Sequence, residues 1–274
     1  VSHAVKCIVD SKLFDYGTVC ASEQSVIVDR HVSDAVRGEF RRLKAHFVTP
    51  DEKKKMETVV IKNKLMNPDV VGQPAAKIAA MCGFAVPDDT SLLVVEMATV
   101  GPQEPLSREK LCPVLGFYVE PDWHAACERC LQVLRFGGMG HTLVIHARDN
   151  AVIMEFALKK PAYRLLVNTP STLGAVGATT RLFPSMTLGC GTSGGNITGD
   201  NIGPQHLVNI KRLAFDLVND PFASTARVSE ELAGDFVPFS KKEEAPPRPG
   251  LVPPPATGGD AVLYNGRRRP IDQL

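Results

Sequence analysis

Short apolar runs, recurring between helix-like stretches, constrain this chain more than any other feature. SLLVVE (91–96), PVLGFYV (113–119), HTLVIH (141–146) and YRLLVN (163–168) are each about the length of one buried strand. A strand covered on both faces reads as a continuous apolar run, and such strands belong to parallel sheets flanked by helices. The segments between them supply the helices. HVSDAVRGEFRRLKAHF places Val36, Phe40, Leu43 and Phe47 on one face, with Ser33 as the N-cap. Residues 74–83 predict a short helix, WHAACERCLQVLRF a longer one ended by Gly137 and Gly138, and 149–159 another. GPQHLVNIKRLAFDLV predicts a last helix opened by Pro204. The pattern as a whole predicts a layered α/β domain.

Composition divides the chain near residue 222. Eight of its 21 prolines fall in the last 52 residues, six of them in PPRPGLVPPP (246–255). Proline lacks an N–H and fixes φ, so that stretch predicts an extended linker or tail. With 31 basic and 30 acidic side chains the net charge is +1, which excludes a broad basic field for nucleic acid. No apolar run approaches the roughly 20 residues that cross a bilayer, so no membrane partner is expected. The seven cysteines are scattered and odd in number, which favours reduced thiols in a cytosolic setting. Cys127 and Cys130 form the lone C-x-x-C pair. No second C-x-x-C pair completes a four-ligand zinc site, and their spacing with Trp123 and Leu134 predicts the buried face of a helix, so no metal is expected.

Two motifs bear on chemistry. Gly189-Cys190-Gly191-Thr192-Ser193-Gly194 matches G-x-G-x-x-G, but GNITGDN after it is a poor helix sequence, so a dinucleotide-binding turn is not expected there. The region 168–204, rich in Gly, Thr, Ser and Asn, reads instead as loops around a site. Cys20 follows the turn signal Asp15-Tyr16-Gly17 and precedes ASEQSVIVDR, a polar turn running into an apolar strand. A thiol there is half-exposed beside free backbone N–H groups, which favour thiolate and hold an oxyanion. The residues alone leave both a nucleophile and a structural cysteine open.

Longer segments carry a resemblance. SKLFDYGTVCASEQSVIVD resembles the nucleophile segment of the coenzyme A-acylating aldehyde dehydrogenases. EPLSREKLCPVLGFY, GGMGHTLVIH, RLLVNTPSTLGAVG and PSMTLGCGTSGGNITGDNIGPQHLVNIKR resemble further segments of that family in the same order, covering residues 2 to about 217. The resemblance implies a three-layer catalytic domain with a mostly parallel sheet. Its expected divisions are a catalytic domain over 1–195, a segment over 196–222 returning toward the cofactor and oligomerisation region, and a Pro-rich tail over 223–274. It also implies that most of the family's N-terminal cofactor domain would precede Val1.

The implied activity is the conversion of a small aldehyde, NAD and coenzyme A to acyl-CoA and NADH through a cysteine thioester, in a ping-pong sequence. The implied nucleophile is Cys20. Glu109 falls where the superfamily's ribose-binding glutamate sits, with Leu111 beside it; the bland reading is a solvated acid at a helix start after Ser107. His141 either accepts the proton of the incoming thiol or only positions its loop through backbone hydrogen bonds. Asn168, Thr169, Pro170, Gly189 and Cys190 are expected as substrate-pocket wall. His124, His146 and His206 are not nominated. The expected partners are a small aldehyde, coenzyme A and further copies of the chain, as a dimer or tetramer. A cytoplasmic location is expected, with encapsulation in a bacterial microcompartment as a family variation. Neither DAVLYNGRRRPIDQL nor STARVSEELAGDF makes a convincing amphipathic address helix. Within the family, the proline-rich tail favours a stand-alone enzyme over the aldehyde half of a bifunctional one. Two readings from other classes remain: an interaction or oligomerisation module without activity, and a Cys–His acyltransferase or hydrolase.

Overall fold

Alternating burial along β5 (Leu93–Glu96) shows how the layers form. Val94 packs on one side of the sheet and Leu93 and Val95 on the other, all three fully buried. The computed structural model describes residues 1–214 and two short strands, Ala261–Tyr264 and Arg267–Pro270. Residues Val1–Asn209 make one compact unit.

The unit begins with α1 (Ser2–Leu13), β1 (Ser25–Asp29), α2 (Ser33–Arg42), β2 (His46–Phe47) and α3 (Pro50–Val59). A two-stranded antiparallel flap of β3 (Ile61–Lys62) and β4 (Leu65–Met66) follows, then α4 (Ala75–Met81) and β5. After β6 (Val114–Glu120) come α5 (Trp123–Gly137), β7 (Gly140–Ile145), α6 (Asn150–Lys159), β8 (Ala162–Val167) and α7 (Ser171–Ala175).

The order β1-β6-β5-β2 forms a four-stranded sheet whose pairs are all parallel, and β7 pairs in parallel with β8 as a separate sheet. The parallel α/β architecture agrees with the reading of the apolar runs. One layer sets Val5, Ile8, Val36 and Phe40 from α1 and α2 against Val94, Leu115 and Phe117. The opposite layer sets Met56, Ile78 and Ala79 from α3 and α4 against Leu93, Val95, Val114 and Tyr118. Local signals place the helix starts. Thr49 and Glu52 form a capping box at α3 with Pro50 in the first turn, Asp122 accepts from Ala125 N–H at α5, and Asp149 accepts from Ala151 N–H at α6.

Three expectations differ from the structure. Ser33 does not cap α2: it is already helical, and its hydroxyl donates to Arg30 C=O in a 3₁₀ turn that Asp29 caps instead. That helix also stops at Arg42, because Lys44 takes φ 63°; Phe47 reaches the same core from β2, edge-on to Phe40 and Phe117. The last helix is absent over 204–214. Only Pro204–His206 makes a 3₁₀ turn, and Leu207 and Leu213 stay 84% and 81% exposed, so the apolar face finds no cover among the described residues. The remaining tail readings lie outside the described residues, apart from Ala261–Tyr264 and Arg267–Pro270. Those two strands pair antiparallel, which agrees with DAVLYNGRRRPIDQL being a poor helix.

Candidate active site

Cys20 is delivered by a sharp reversal after α1. Asp15, Tyr16 and Gly17 take φ 48°, 52° and 76° in succession. A Cβ on Gly17 would lie 2.9 Å from the Cys112 carbonyl oxygen, so glycine is required there. The reversal leaves Cys20 exposed at the lip of a cavity of about 890 Å³. Glu109, Cys127, Cys130, His141 and Cys190 line the same cavity.

His141 enters from the start of β7. Its Nε2 is 3.2 Å from Cys20 Sγ, and its Nδ1 is 2.8 Å from Thr142 Oγ1. Arg164 of β8, 2% exposed, donates from Nε to Thr142 Oγ1 at 3.3 Å and from its terminal nitrogens to the carbonyls of Gly189 and Gly199. One buried guanidinium thus ties the glycine-rich loop to the histidine's neighbour. The fit is close: a Cβ on Gly140 would overlap the Cys190 carbonyl oxygen.

Burial and the nearby Glu109 carboxylate push the Cys20 thiol up, while the backbone N–H groups of Cys20 and Ala21 pull the other way. Burial and then Arg164 hold His141 below the usual imidazole range. Both shifts favour a neutral thiol–imidazole pair over an ion pair.

Behind the site, buried amines join its two arms. Lys12 of α1 donates to Lys110 C=O at 2.9 Å, and Gln24 Oε1 accepts from Lys110 N–H at 2.7 Å. The Lys110 amine donates to the carbonyls of Leu106 and Arg108, both at 2.7 Å. The loop carrying Glu109 is therefore pinned to the loop carrying Cys20. Glu109 itself is exposed, and its carboxylate has no hydrogen-bond partner among the described residues. No α-helix starts at Ser107, whose hydroxyl instead donates to Glu104 C=O and accepts from Gly101 N–H.

The other nominated residues are divided. Cys190 lines the cavity, whereas Gly189 lies behind it with its carbonyl on Arg164. Leu111 faces away, its N–H on Met66 Sδ and its carbonyl accepting from Gly72. Asn168 closes on both backbone groups of Ala147, Thr169 bonds Thr179, and Pro170 precedes α7; none of the three lines the cavity. The literal G-x-G-x-x-G ends in a 3₁₀ turn, Thr192–Gly194, with no α-helix behind it.

Sequence reasoning missed Arg164, Thr142 and Glu23. Glu23 is buried, accepts from Ser171 N–H, and is pushed up to about 7, chiefly by burial. The signal for Arg164 was a charged residue inside an apolar strand, which demands buried partners. His146, also not nominated, lines the cavity with both ring nitrogens unpartnered among the described residues. Burial takes it down to about 4. Cys127 and Cys130 face the same cavity half-buried, with no cluster of three metal-ligating side chains among the described residues.

No protein-family profile matches the chain. Over 219 residues it is 41% identical to the bifunctional aldehyde-alcohol dehydrogenase of Escherichia coli K12, covering 78% of this chain and 25% of that protein. It is 32% identical over 242 residues to a sulfoacetaldehyde dehydrogenase (acylating) of Bilophila wadsworthia, covering 86% of this chain and 51% of that one. Among solved structures, an acetylating aldehyde dehydrogenase from Geobacillus thermoglucosidasius matches with TM-score 0.77 and 44% identity, over 79% of this chain and 48% of the other. The chain therefore spans between a quarter and half the length of these relatives. Over the matched part, the chain is similar in both sequence and fold to these aldehyde-alcohol and acylating aldehyde dehydrogenases.

Proposed function

We propose that the protein to which this chain belongs converts an aldehyde, NAD and coenzyme A to acyl-CoA, with Cys20 carrying the acyl group. One observation supports this most directly: an exposed Cys20 whose sulfur lies 3.2 Å from His141 Nε2, on a cavity that also presents the free carboxylate of Glu109. The Cys20 thiol loses its proton to solvent, its sulfur bonds to the aldehyde carbon, and the electron pair of the carbonyl π bond moves to the oxygen, an oxyanion beside the N–H groups of Cys20 and Ala21. Glu109, which has no hydrogen-bond partner among the described residues and lines the cavity, accepts in this reading from two ribose hydroxyls of the cofactor. When bound, a nicotinamide dinucleotide supplies the hydride acceptor. The buried lysine clamp keeps Glu109 and Cys20 at a constant separation, so cofactor and thiohemiacetal stay aligned. Attack by the coenzyme A thiol on the Cys20 thioester then frees the cysteine.

Thioester exchange needs no nicotinamide and tests the central step. Incubation with acetyl-CoA is expected to acetylate the peptide containing Cys20, and added coenzyme A to remove the acetyl group. Absence of acetylation from a folded chain would overturn the reading. The Cys20–His141 contact also suits a Cys–His hydrolase. That reading is favoured if acetyl-Cys20 is lost to water as fast as to coenzyme A, and if the protein forms no NADH from propionaldehyde, NAD and coenzyme A.

A further inference from the structure

We propose that Arg164 and Thr142 hold His141 in the tautomer that carries its hydrogen on Nε2, so that His141 donates to the Cys20 sulfur and takes no proton from it. The inference rests on the reading of Cys20 as the nucleophile. It assigns Thr142 and Arg164 as positioning residues and changes the part His141 plays.

A guanidinium has no acceptor, so the 3.3 Å contact from Arg164 Nε makes Thr142 Oγ1 an acceptor. The Thr142 hydroxyl hydrogen then needs an acceptor of its own. Among the described residues its one acceptor neighbour is His141 Nδ1, at 2.8 Å. A neutral imidazole with Nδ1 accepting carries its hydrogen on Nε2, and Nε2 faces Cys20 Sγ. The opposite tautomer would aim Nδ1–H at an oxygen already accepting from Arg164 and leave the hydroxyl hydrogen unpaired in a half-buried site. That is a costly arrangement.

The groups around the ring agree. Arg164 acts on it from β8 and Cys20 contacts it from the loop before β1; Cys190 of the glycine-rich loop rests against the neighbouring Gly140 and, with Glu109 from the loop before β6, acts on Cys20. Burial, and after it the guanidinium, oppose a positive charge on the ring.

The consequence lies in thioester exchange. A bond forms from the coenzyme A sulfur to the acyl carbon, and the bond from that carbon to Cys20 breaks, its electron pair staying on Cys20. The Nε2–H hydrogen-bonds to that leaving thiolate, and its proton stays on the ring. The proton of the coenzyme A thiol passes to solvent, so the step balances without a base at His141.

Two measurements on the whole chain test this, neither needing cofactor or turnover. Nitrogen NMR of ¹⁵N-histidine-labelled protein, with the His141 signals assigned by their loss in His141→Gln, is expected to show Nε2 protonated and Nδ1 bare. The reverse assignment overturns the proposal. Thr142→Val, close in shape but without the hydroxyl, is expected to slow Cys20 alkylation by iodoacetamide near neutral pH by about tenfold, the scale of one hydrogen bond to a charged group. Thr142→Ser is expected to restore the rate. Equal rates in all three proteins, or no rescue by serine, overturn it. Absence of NADH formation alongside the expected tautomer would sink the aldehyde reading alone.

Discussion

The Lys12 amine lies 2.9 Å from the backbone carbonyl of Lys110, and neither lysine side chain is exposed to solvent. The contact links α1, which leads into Cys20, to the loop that presents Glu109. Burial lowers Lys12 to about 8 and Lys110 to about 7, from 10.5 in the unfolded chain.

The sign of the resulting pH dependence follows from proton counting. Between about 7 and 10.5 the unfolded chain holds protons at these sites that the folded chain has released. Their contribution to stability therefore rises with pH across that window, and below it the burial of charge opposes folding in full. Replacing Lys110 by Met should flatten this rise. Melting temperatures of the two proteins at about pH 7 and about pH 9 check it; parallel changes would show that Lys110 does not titrate in the folded state.

Cys20→Ala should abolish acetylation by acetyl-CoA while leaving the fold intact. The side chain is exposed and belongs to none of the core clusters, so the stability change should stay within about 0.5 kcal/mol. Mass analysis of the acyl-enzyme and a thermal melt read the two effects separately. Acetylation persisting on another cysteine would move the nucleophile.

Glu109→Gln preserves size but removes the charge facing the cavity. Its expected effect is weaker NAD binding, by about tenfold for one charge-assisted hydrogen-bonding group, with no loss of acetyl exchange at Cys20. Fluorescence titration of the complete enzyme with NADH measures the first and acetyl-CoA labelling the second. Unchanged affinity would remove Glu109 from the cofactor site.

Gly140→Ala should be strongly destabilising, by about 2 kcal/mol or more. It combines φ 93° with a Cβ overlapping the Cys190 carbonyl oxygen, which cannot swing away as a side chain can. A melt that matches the wild type would mean that the glycine-rich loop does not rest on β7.

Much of this architecture was legible in the chain. All four apolar runs became parallel strands: in β5 and β6 residues such as Leu93 and Val94 are buried on opposite faces, which erases the alternation of a half-exposed strand, whereas β8 keeps that alternation, with Tyr163 and Val167 exposed. Asp122, Asp149 and Thr49 marked helix starts through their own side chains. The reading failed where a tertiary partner decided the outcome. Leu207, Ile210 and Leu213 recur at three-residue steps, yet all three stay exposed among the described residues. Asn168 and Leu111, nominated for the site, spend their polar groups on Ala147, Met66 and Gly72 instead.

By itself the sequence determined the local devices. These are the strand runs and the helix-start caps at Thr49, Asp122 and Asp149, each set by the hydrogen-bonding preferences of adjacent residues. Only the tertiary structure decided which groups meet there. Cys20 and His141 are 121 residues apart, and Lys12 and Lys110 are 98 apart. No periodicity connects such pairs. Their contacts depend on how β7, β8 and the loop after α1 close on a shared cavity, and on Arg164 being buried where it must find carbonyls and a hydroxyl to donate to.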